Sequence, residues 1–458
     1  MTSAQAMPCS FVLLSCLVLP AVAAPTIVVS RTDDVFRPAC LDDCSLREAI
    51  YRANLEPGPQ RILLKPGVYR LTREDPRWNF DEEPDPDEDE GVRGDLDVQD
   101  ELTLVGEDPE ATVIQGVSDR LLEVVAEARL DLQRITLQGG RADTYGGAIR
   151  NDGETQLSLV RLIDNQATPG IQGKGGAIAN FGTLQVRFSL FRGNNSNGDE
   201  GFTGRGGAIY NLGVMNVRDS HFDNNSVTDN DVDYAHGGAI YNEGTAYVAR
   251  SSFTGNRAGE YAGGGGGAAV VNNQQGVFVL VNSTLAENIG TEINGVVANG
   301  LAGYSPSGTE ASMMLVNVTL VNNQGLGLSN LGDMAVRGSI VAGNSYQGQW
   351  ANCLSQGNFL MRDFMLGLDA GGCVHDQPLD NLLLFSQVMD PAARVTEGGV
   401  DSGTVYYALL PDSPAVDAGR GACASHDQRR VSRPRLGSQA GSPACDLGAF
   451  ERRSYGQE

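Results

Sequence analysis

Three aspartates at alternating positions are the first residues of this chain that could do chemistry: Asp229, Asp231 and Asp233. Alternating carboxylates are typical of a calcium-binding loop, in which the oxygen ligands come from every second residue. Such a loop requires glycine at its sixth position, where this chain has Tyr234. Two interpretations therefore stay open. One is a calcium site, the single cofactor that the sequence indicates, and the other is a solvated acidic turn.

A second acidic stretch, residues 81–90, has eight acids in ten positions. If its alternating aspartates began a calcium loop, Glu90 and Leu96 would occupy the positions that require glycine and glutamate. Blocks of like charge are typical of solvated, mobile loops, and we interpret this stretch in that way.

The sequence contains no motif that marks a catalytic site. The four histidines lack the spacing of zinc ligands, and the nucleophile string Gly-x-Ser-x-Gly is absent. Arg187 and Arg218 occupy equivalent positions of a repeat, which favours repetition over a single catalytic site. Asp417 and Asp446 stand close to glycines, and we interpret them as turn residues. A glycosidase requires two carboxylates facing one bond, and no string marks such a pair.

Tyr210 and Tyr241 recur at one position of the repeat. If their rings point outward they could stack on sugar rings, and if they point inward they belong to the core. Extra residues enter each repeat just before these positions, which predicts loops along one edge of the molecule. In repeat proteins such an edge is often the binding face.

A phrase of the form Gly-Gly-Ala-Ile organises these residues. It occurs five times, with its second glycines 29, 31, 31 and 29 residues apart, and a second phrase, Ser-x-Phe-x-x-Asn, lies between the copies. This period indicates a repeat architecture. Glycine pairs and many Asn, Ser and Thr residues argue against helical repeats. Short alternating runs, such as residues 183–187, indicate strands instead.

Three short strands per repeat predict an all-β fold, a parallel β-helix with three-strand coils, which the crossover rule makes right-handed. Identical residues should then stack from coil to coil. The phenylalanines should form a buried column, and the asparagines a ladder of amides at a bend. The predicted ladder residues are Phe191, Phe222, Phe253, Asn194, Asn225 and Asn256.

The two repeated phrases resemble the paired repeat motifs of the polymorphic outer-membrane proteins over about residues 139–345. That resemblance implies a surface-exposed β-helical passenger. Members of that family end in a membrane β-barrel, a segment that we do not expect in this chain. The resemblance is specific for the repeat and weak for the function.

Residues 1–24 have an apolar core followed by small residues, which predicts a signal peptide too short to span a membrane. Export favours disulfides among the six cysteines of the mature chain. Six cysteines allow 15 connectivities, and proximity in the sequence favours 40–44, 353–373 and 423–445. The cysteines are Cys40, Cys44, Cys353, Cys373, Cys423 and Cys445.

Residues 25–110 are predicted to form an N-terminal cap and the first coils. Ser45 and Glu48 form a capping box that starts a helix. The helix has one apolar face, which could cover the open end of the first coil. The string Cys44–Ala49 closely resembles the CSLREA domain, which precedes bacterial β-helix repeats.

Residues 111–345 are predicted to form the β-helix repeats, and residues 346–458 a disulfide-bonded C-terminal cap. Residues 410–419 and 446–451 resemble the choice-of-anchor Q region, which in its family precedes varied surface anchors. The chain ends seven residues after Glu451 with no anchoring helix, so we expect release rather than attachment.

A formal charge of −24 argues against a nucleic-acid partner, which requires a basic face. The sequence therefore predicts an exported surface or extracellular protein, with the periplasm as an alternative location. We expect a non-catalytic, adhesin-like or glycan-binding protein whose partner is a polysaccharide or a cell-surface glycan. The alternative is a polysaccharide lyase or glycoside hydrolase on the same scaffold, and fold alone cannot decide between them.

Overall fold

The computed structural model shows an all-β chain coiled into a parallel β-helix, which confirms the predicted fold class. The strand pairings between successive described coils are parallel. The structure describes residues 26–37, 40, 43–73, 91–167, 173–198, 203–229, 235–259, 266–290, 295–301, 310–369, 371, 373–397, 403–421, 423–436 and 443–453.

Each central coil contains four strands, one more than the sequence predicts. A three-residue strand enters a ten-stranded sheet, and a five-residue and a three-residue strand follow in a 22-stranded sheet. A strand of two to four residues then completes the coil in a six-stranded sheet. This fourth strand is only two to four residues long, which is too short for an alternating pattern to indicate it in the sequence.

The ten-stranded sheet contains Leu96–Val98, Leu122–Val124, Ile149–Asn151, Ile178–Asn180, Ile209–Asn211, Ile240–Asn242, Val270–Asn272, Val297–Asn299, Leu328–Asn330 and Cys353–Ser355. The six-stranded sheet contains Arg141–Ala142, Gln166–Ala167, Asn195–Gly198, Ser226–Asp229, Arg257–Ala258 and Ile289–Gly290.

The 22-stranded sheet has two columns of strands. The first column contains Thr26–Val29, Gln60–Leu64, Glu101–Gly106, Arg129–Gln133, Glu154–Ser158, Thr183–Arg187, Val214–Arg218, Thr245–Ala249, Val277–Val281 and Ser312–Val316. The second contains Gly67–Arg70, Thr112–Gln115, Thr136–Gln138, Arg161–Ile163, Leu190–Arg192, His221–Asp223, Ser252–Thr254, Thr284–Ala286, Thr319–Val321 and Gln377–Leu379. Two longer strands run through both columns, Asp333–Ala342 and Asn358–Gly367.

Small elements complete the described chain. The hairpins pair Ser345–Tyr346 with Gln349–Trp350, and Arg394–Val395 with Val405–Tyr406. The helical segments are an α-helix, Leu46–Leu55, a 3₁₀ turn, Asn381–Leu383, and a π turn, Leu384–Val388.

The interior of the coils is a continuous apolar core in which equivalent side chains lie above one another. Phe222 stacks on Phe191 with ring centroids 4.6 Å apart, and on Phe253 with centroids 4.7 Å apart. All three rings are fully buried. Leu162 and Leu285 continue the column on either side, so one interior position is filled along the stack.

Buried asparagine amides form a ladder beside this column. The Nδ2 of Asn194 donates to Oδ1 of Asn225 at 2.8 Å, and the Nδ2 of Asn225 donates to Oδ1 of Asn256 at 2.9 Å. Each Oδ1 also accepts the backbone N–H of the asparagine in the preceding coil, so buried donors and acceptors are paired. The complete ladder is Asn165, Asn194, Asn225, Asn256, Asn288, Asn323, Asn344, Asn352 and Asn381.

A second amide ladder follows the glycine phrase and includes Asn180, Asn211 and Asn242, with Nδ2–Oδ1 distances of 2.6 Å. The glycine pair before it makes the corner. Gly206 has φ of +69°, and a Cβ at Gly207 would collide with a backbone carbonyl of the next coil. The glycine phrase is therefore a steric requirement of close stacking.

The N-terminal helix has the predicted capping box between Ser45 and Glu48. Its apolar residues join the main core and pack against the first strands of the solenoid. Arg47, which the apolar pattern did not mark, is also fully buried. Its Nε lies 2.7 Å from Oδ1 of Asp34, and its other nitrogens donate to backbone carbonyls, including that of Gly94. A buried cation is tolerated here because its donors are paired.

The C-terminal region runs along the flank of the coils. Its apolar residues form a second core with the outward-facing Ala286, Val321 and Ala342 of the second strand column. Hydrogen bonds tie it to three successive coils, through Ser252, Thr284 and Thr319. Two of these coils also present apolar outward residues, Ala286 and Val321, and the C-terminal region covers them.

We expect Phe222→Ala to lower the free energy of unfolding by about 3–5 kcal/mol, because it leaves a cavity between two stacked rings. Chemical denaturation measures this change. Phe222→Leu is the control, because leucine fills the same column in other coils, and it should cost much less. Equal losses for both variants would contradict a close-packed column.

Candidate functional site

The predicted calcium residues lie where the structure gives no side-chain geometry. Asp229 ends a described strand, and its side chain, like Asp231 and Asp233, lies outside the described residues. Within the described ranges, no group of three His, Cys, Asp or Glu side chains is arranged to hold a metal ion. The predicted signal peptide and the acidic stretch 81–90 also lie outside them.

The six cysteines are bonded in the pairs that their proximity favours. These are Cys40–Cys44, Cys353–Cys373 and Cys423–Cys445. The first bond flanks the N-terminal helix. The second joins Cys353, in the last strand of the ten-stranded sheet, to Cys373, in the segment between the strands Asn358–Gly367 and Gln377–Leu379. The third lies within the C-terminal region. The first two bonds therefore lie near the two ends of the solenoid, whereas the third lies on the flank of the coils, close to Asn317 and Gly338.

Tyr210 and Tyr241 point away from the main core, yet they are buried in a separate apolar cluster. Their rings stack with centroids 5.8 Å apart. The carboxylate of Glu243 accepts hydrogen bonds from both hydroxyls, at 3.0 and 3.2 Å, and lies 3.4 Å from the guanidinium of Arg205. Burial is the main cause that raises the pKa of both tyrosines. These rings are thus not open platforms for sugars.

His236 lies in the same cluster, between Arg205 and Gly266 in a column of bridging residues. It is 1% exposed, and its ring is 6.4 Å from that of Tyr241. Burial, and then the positive charge of Arg205, lowers the pKa of His236 to about 3. The imidazole is therefore neutral in the folded protein at physiological pH.

A network of carboxylates and arginines covers the outer side of the ten-stranded sheet in the first coils. Arg120 bonds Asp95 at 2.9 Å and Glu123 at a shorter distance, and Arg150 lies 3.4 Å from Glu123. The side chains of Asp95 and Glu123 are 9% and 7% exposed. The sequence analysis missed this network because its members occur once and do not repeat.

Asp119 and Asp143 border this network, and both have a pKa raised to about 6. Burial is the main cause for both, and the nearby charge of Asp95 adds to the shift for Asp119. Carboxyls with raised pKa values beside a cation are the groups that acid–base catalysis uses, and they also occur in structural ion networks.

An open surface lies on the outward side of the first strand column from Thr183–Arg187 to residues 358–362, and we call it the broad face. Because side chains alternate along a strand, each coil contributes three outward residues. The middle positions are Gln185, Asn216, Tyr247, Val279, Met314, Ala335 and Leu360 in successive coils. The C-terminal region packs on the second column and leaves these positions open.

Composition changes along the broad face. Polar amides occupy the middle positions of the first two coils, and Tyr247 follows with the guanidinium of Arg218 5.4 Å from its ring centroid. Exposed aliphatic side chains come next, including Val277, which is 42% exposed, and Leu360, which is 73% exposed. Amides, an aromatic ring and aliphatic groups on a shallow surface suit contact with a polymer that has polar edges and apolar faces.

Comparison of the chain with models of known protein families finds no match, and a search of curated proteins finds none either. The structure defines the class of protein as a disulfide-bonded, all-β parallel β-helix. No helix in the described part of the chain is both long and apolar enough to cross a membrane.

We expect His236 to make stability depend on pH. Its folded pKa is about 3 and its ordinary value is 6.5, so below pH 6.5 the unfolded chain takes up a proton that the folded chain does not. Stability present above pH 6.5 is therefore lost as the pH falls towards 3. The melting temperature should drop more between pH 7.5 and 5 in the wild type than in His236→Gln.

The matched control for this prediction is His375→Gln, which removes an imidazole outside the tyrosine cluster. It should leave the wild-type drop unchanged. A drop of the same size in the wild type and in His236→Gln would show that the buried imidazole does not set the acid sensitivity.

Proposed function

We propose that this protein is an exported, non-catalytic β-solenoid that binds an extended glycan along its broad face, as an adhesin or a glycan-binding protein does. The observation that carries the proposal is the broad face itself, an open and repeated surface whose residues recur one strand spacing apart. Strand spacing in a sheet is about 4.8 Å, so equivalent side chains can contact successive units of a linear polymer.

Export is supported by the three disulfides. Such bonds persist in oxidising compartments and are rare in the cytosol, where thiols are kept reduced. We propose that the protein works outside the cell or at its surface, with the periplasm as the alternative. The resemblance of Cys44–Ala49 and of the C-terminal strings to surface-associated bacterial β-helix proteins points in the same direction.

Binding along the face would be multivalent. Each outward residue contributes little binding free energy alone. Contacts in successive coils add, because a polymer held at one coil has a high effective concentration at the next. Tyr247 is the central contact, because an aromatic ring can stack on the apolar face of a sugar while Arg218 orients the ring from the other side.

An enzyme on the same scaffold is the second candidate, and the network around Arg120 favours it. Here unlike groups from several coils meet once, as catalysis requires, and Asp119 and Asp143 have the raised pKa of about 6 that suits a general acid. Against this, the carboxylates of the protein itself, Asp95 and Glu123, already pair with Arg120, so it is not open to a substrate carboxylate. We therefore rank binding first.

Binding to immobilised glycans tests the first proposal. We expect the protein to bind a long polysaccharide more tightly than its short fragments, and Tyr247→Ala to weaken that binding roughly fivefold, which corresponds to about 1 kcal/mol for one lost aromatic contact. Trp350→Ala, which removes an exposed ring outside the broad face, is the control and should bind normally. Equal losses in both variants would contradict the proposed face.

An assay for reducing-sugar release and for unsaturated products, run on the same polysaccharides, tests the enzyme candidate. We expect no product from wild-type protein. Product that is lost in Asp119→Asn or Asp143→Asn, but retained in Tyr247→Ala, would promote the enzyme. Thermal melting of each variant separates loss of activity from loss of folding.

A further inference from the structure

One edge of the broad face carries arginines in direct register. The last outward positions of successive coils are Arg187, Arg218, Ala249, Val281, Val316, Arg337 and Arg362. Arginine therefore meets arginine at both ends of the edge, in the pairs Arg187–Arg218 and Arg337–Arg362. We call this column the arginine edge.

Several other arginines of the solenoid differ from the arginine edge because the residue in register with each of them is an acid. Arg129 stands in register with Glu154, Arg150 with Glu123 and Arg192 with Asp223, with N–O distances of 3.7, 3.4 and 2.8 Å. In those pairs an acid neutralises the cation. Like charges directly opposite each other in a sheet are destabilising, so the two arginine pairs carry a cost that the fold does not require.

The local charge is also unlike that of the whole chain. The outward positions of the broad face hold four arginines and one acid, Asp333, which gives a formal net charge of +3. The complete chain carries −24. Cations are thus concentrated on the broad face of a strongly acidic protein, and an acidic ligand would be attracted to this face.

Both pairs are open to solvent at their guanidinium ends. Arg187 and Arg218 are exposed, and Arg218 uses its Nε to bond Oδ1 of Asn216 at 3.0 Å, leaving its other donors available. At the other end, Arg337 and Arg362 line a cleft between the broad face and the C-terminal region. There Arg362 donates to the backbone carbonyl of Arg420 at 3.3 Å, and its Nε lies 3.8 Å from a carboxylate oxygen of Asp363, with 63% of its side chain exposed.

We propose, on the basis of the glycan-binding function above, that the ligand is an acidic polysaccharide whose carboxylates pair with the arginine edge while its sugar rings contact the apolar centre of the broad face. Guanidinium binds carboxylate through two parallel hydrogen bonds, and ligand carboxylates would relieve the repulsion within each arginine pair. Arg218 and Arg337 lie four strand spacings apart, roughly 19 Å, so one chain must span several sugars to reach both pairs.

The test compares polygalacturonate with the same polymer after methyl esterification, which removes the charge and keeps the backbone. We expect full-length protein to bind the acidic form at least tenfold more tightly, with an affinity that falls as salt rises. Arg187→Gln/Arg218→Gln and Arg337→Gln/Arg362→Gln should each weaken binding about tenfold. The control is Arg70→Gln/Arg141→Gln, which removes two exposed arginines from other surfaces and should bind like wild type.

The outcomes separate this proposal from the one on which it rests. Equal binding of the esterified and acidic polymers, weakened by Tyr247→Ala, would overturn the acidic ligand and keep glycan binding. Binding that the control double variant weakens as much as the edge variants would overturn the arginine edge as the site. Displacement of the polymer by an equal concentration of polyglutamate would assign the face to acidic peptides. Failure to bind either polymer or any glycan of an array would overturn the proposed function itself.

Discussion

The fold depends on side-chain amides that hydrogen-bond to copies of themselves in the next coil. Each rung of the Asn165–Asn381 ladder pairs a buried donor with a buried acceptor, and leaving one unpaired would cost about 1–3 kcal/mol. Slippage of a coil by one residue would break the ladder and also turn the inward residues outward. The ladder therefore fixes the register in which Phe191, Phe222 and Phe253 stack, and the same register aligns the outward columns.

Repetition explains what the sequence predicts well. Phe222 and Asn225 could be assigned to a column and a ladder because their copies recur at the coil period, and identical environments require identical residues. Three features could not be predicted from the sequence, because each depends on residues that occur once: the network of Arg120, the burial of Arg47 and the cluster around Glu243. The path of the C-terminal region could not be predicted either. Thr284 donates a hydrogen bond to Gln428, 144 residues away, and no local sequence pattern indicates that contact.

Tyr210 and Tyr241 show why the function is harder to infer than the fold. Their repeat spacing placed them correctly in one column, but it did not determine whether an outward column is open or covered. Glu243 accepts hydrogen bonds from both hydroxyls and Arg205 lies over the ring of Tyr241, which makes that column structural. The C-terminal region similarly covers the second strand column. Neither cover includes the middle positions of the broad face, which stay open.

In the strands of the broad face, packing determines the inward residues, whereas the outward residues are available for binding. Inward positions of these strands are apolar and buried, apart from the partly buried Phe359 and Met361 of the last strand, so their identity follows from packing. Outward positions are free to vary, and a stability requirement alone would place acids opposite arginines there, as Glu154 lies opposite Arg129. Arg187 stands opposite Arg218 instead, and a bound anion would relieve the repulsion between these like charges. Because a second such pair lies at the far end of the same edge, a long acidic chain would satisfy both pairs at once, and a short fragment only one.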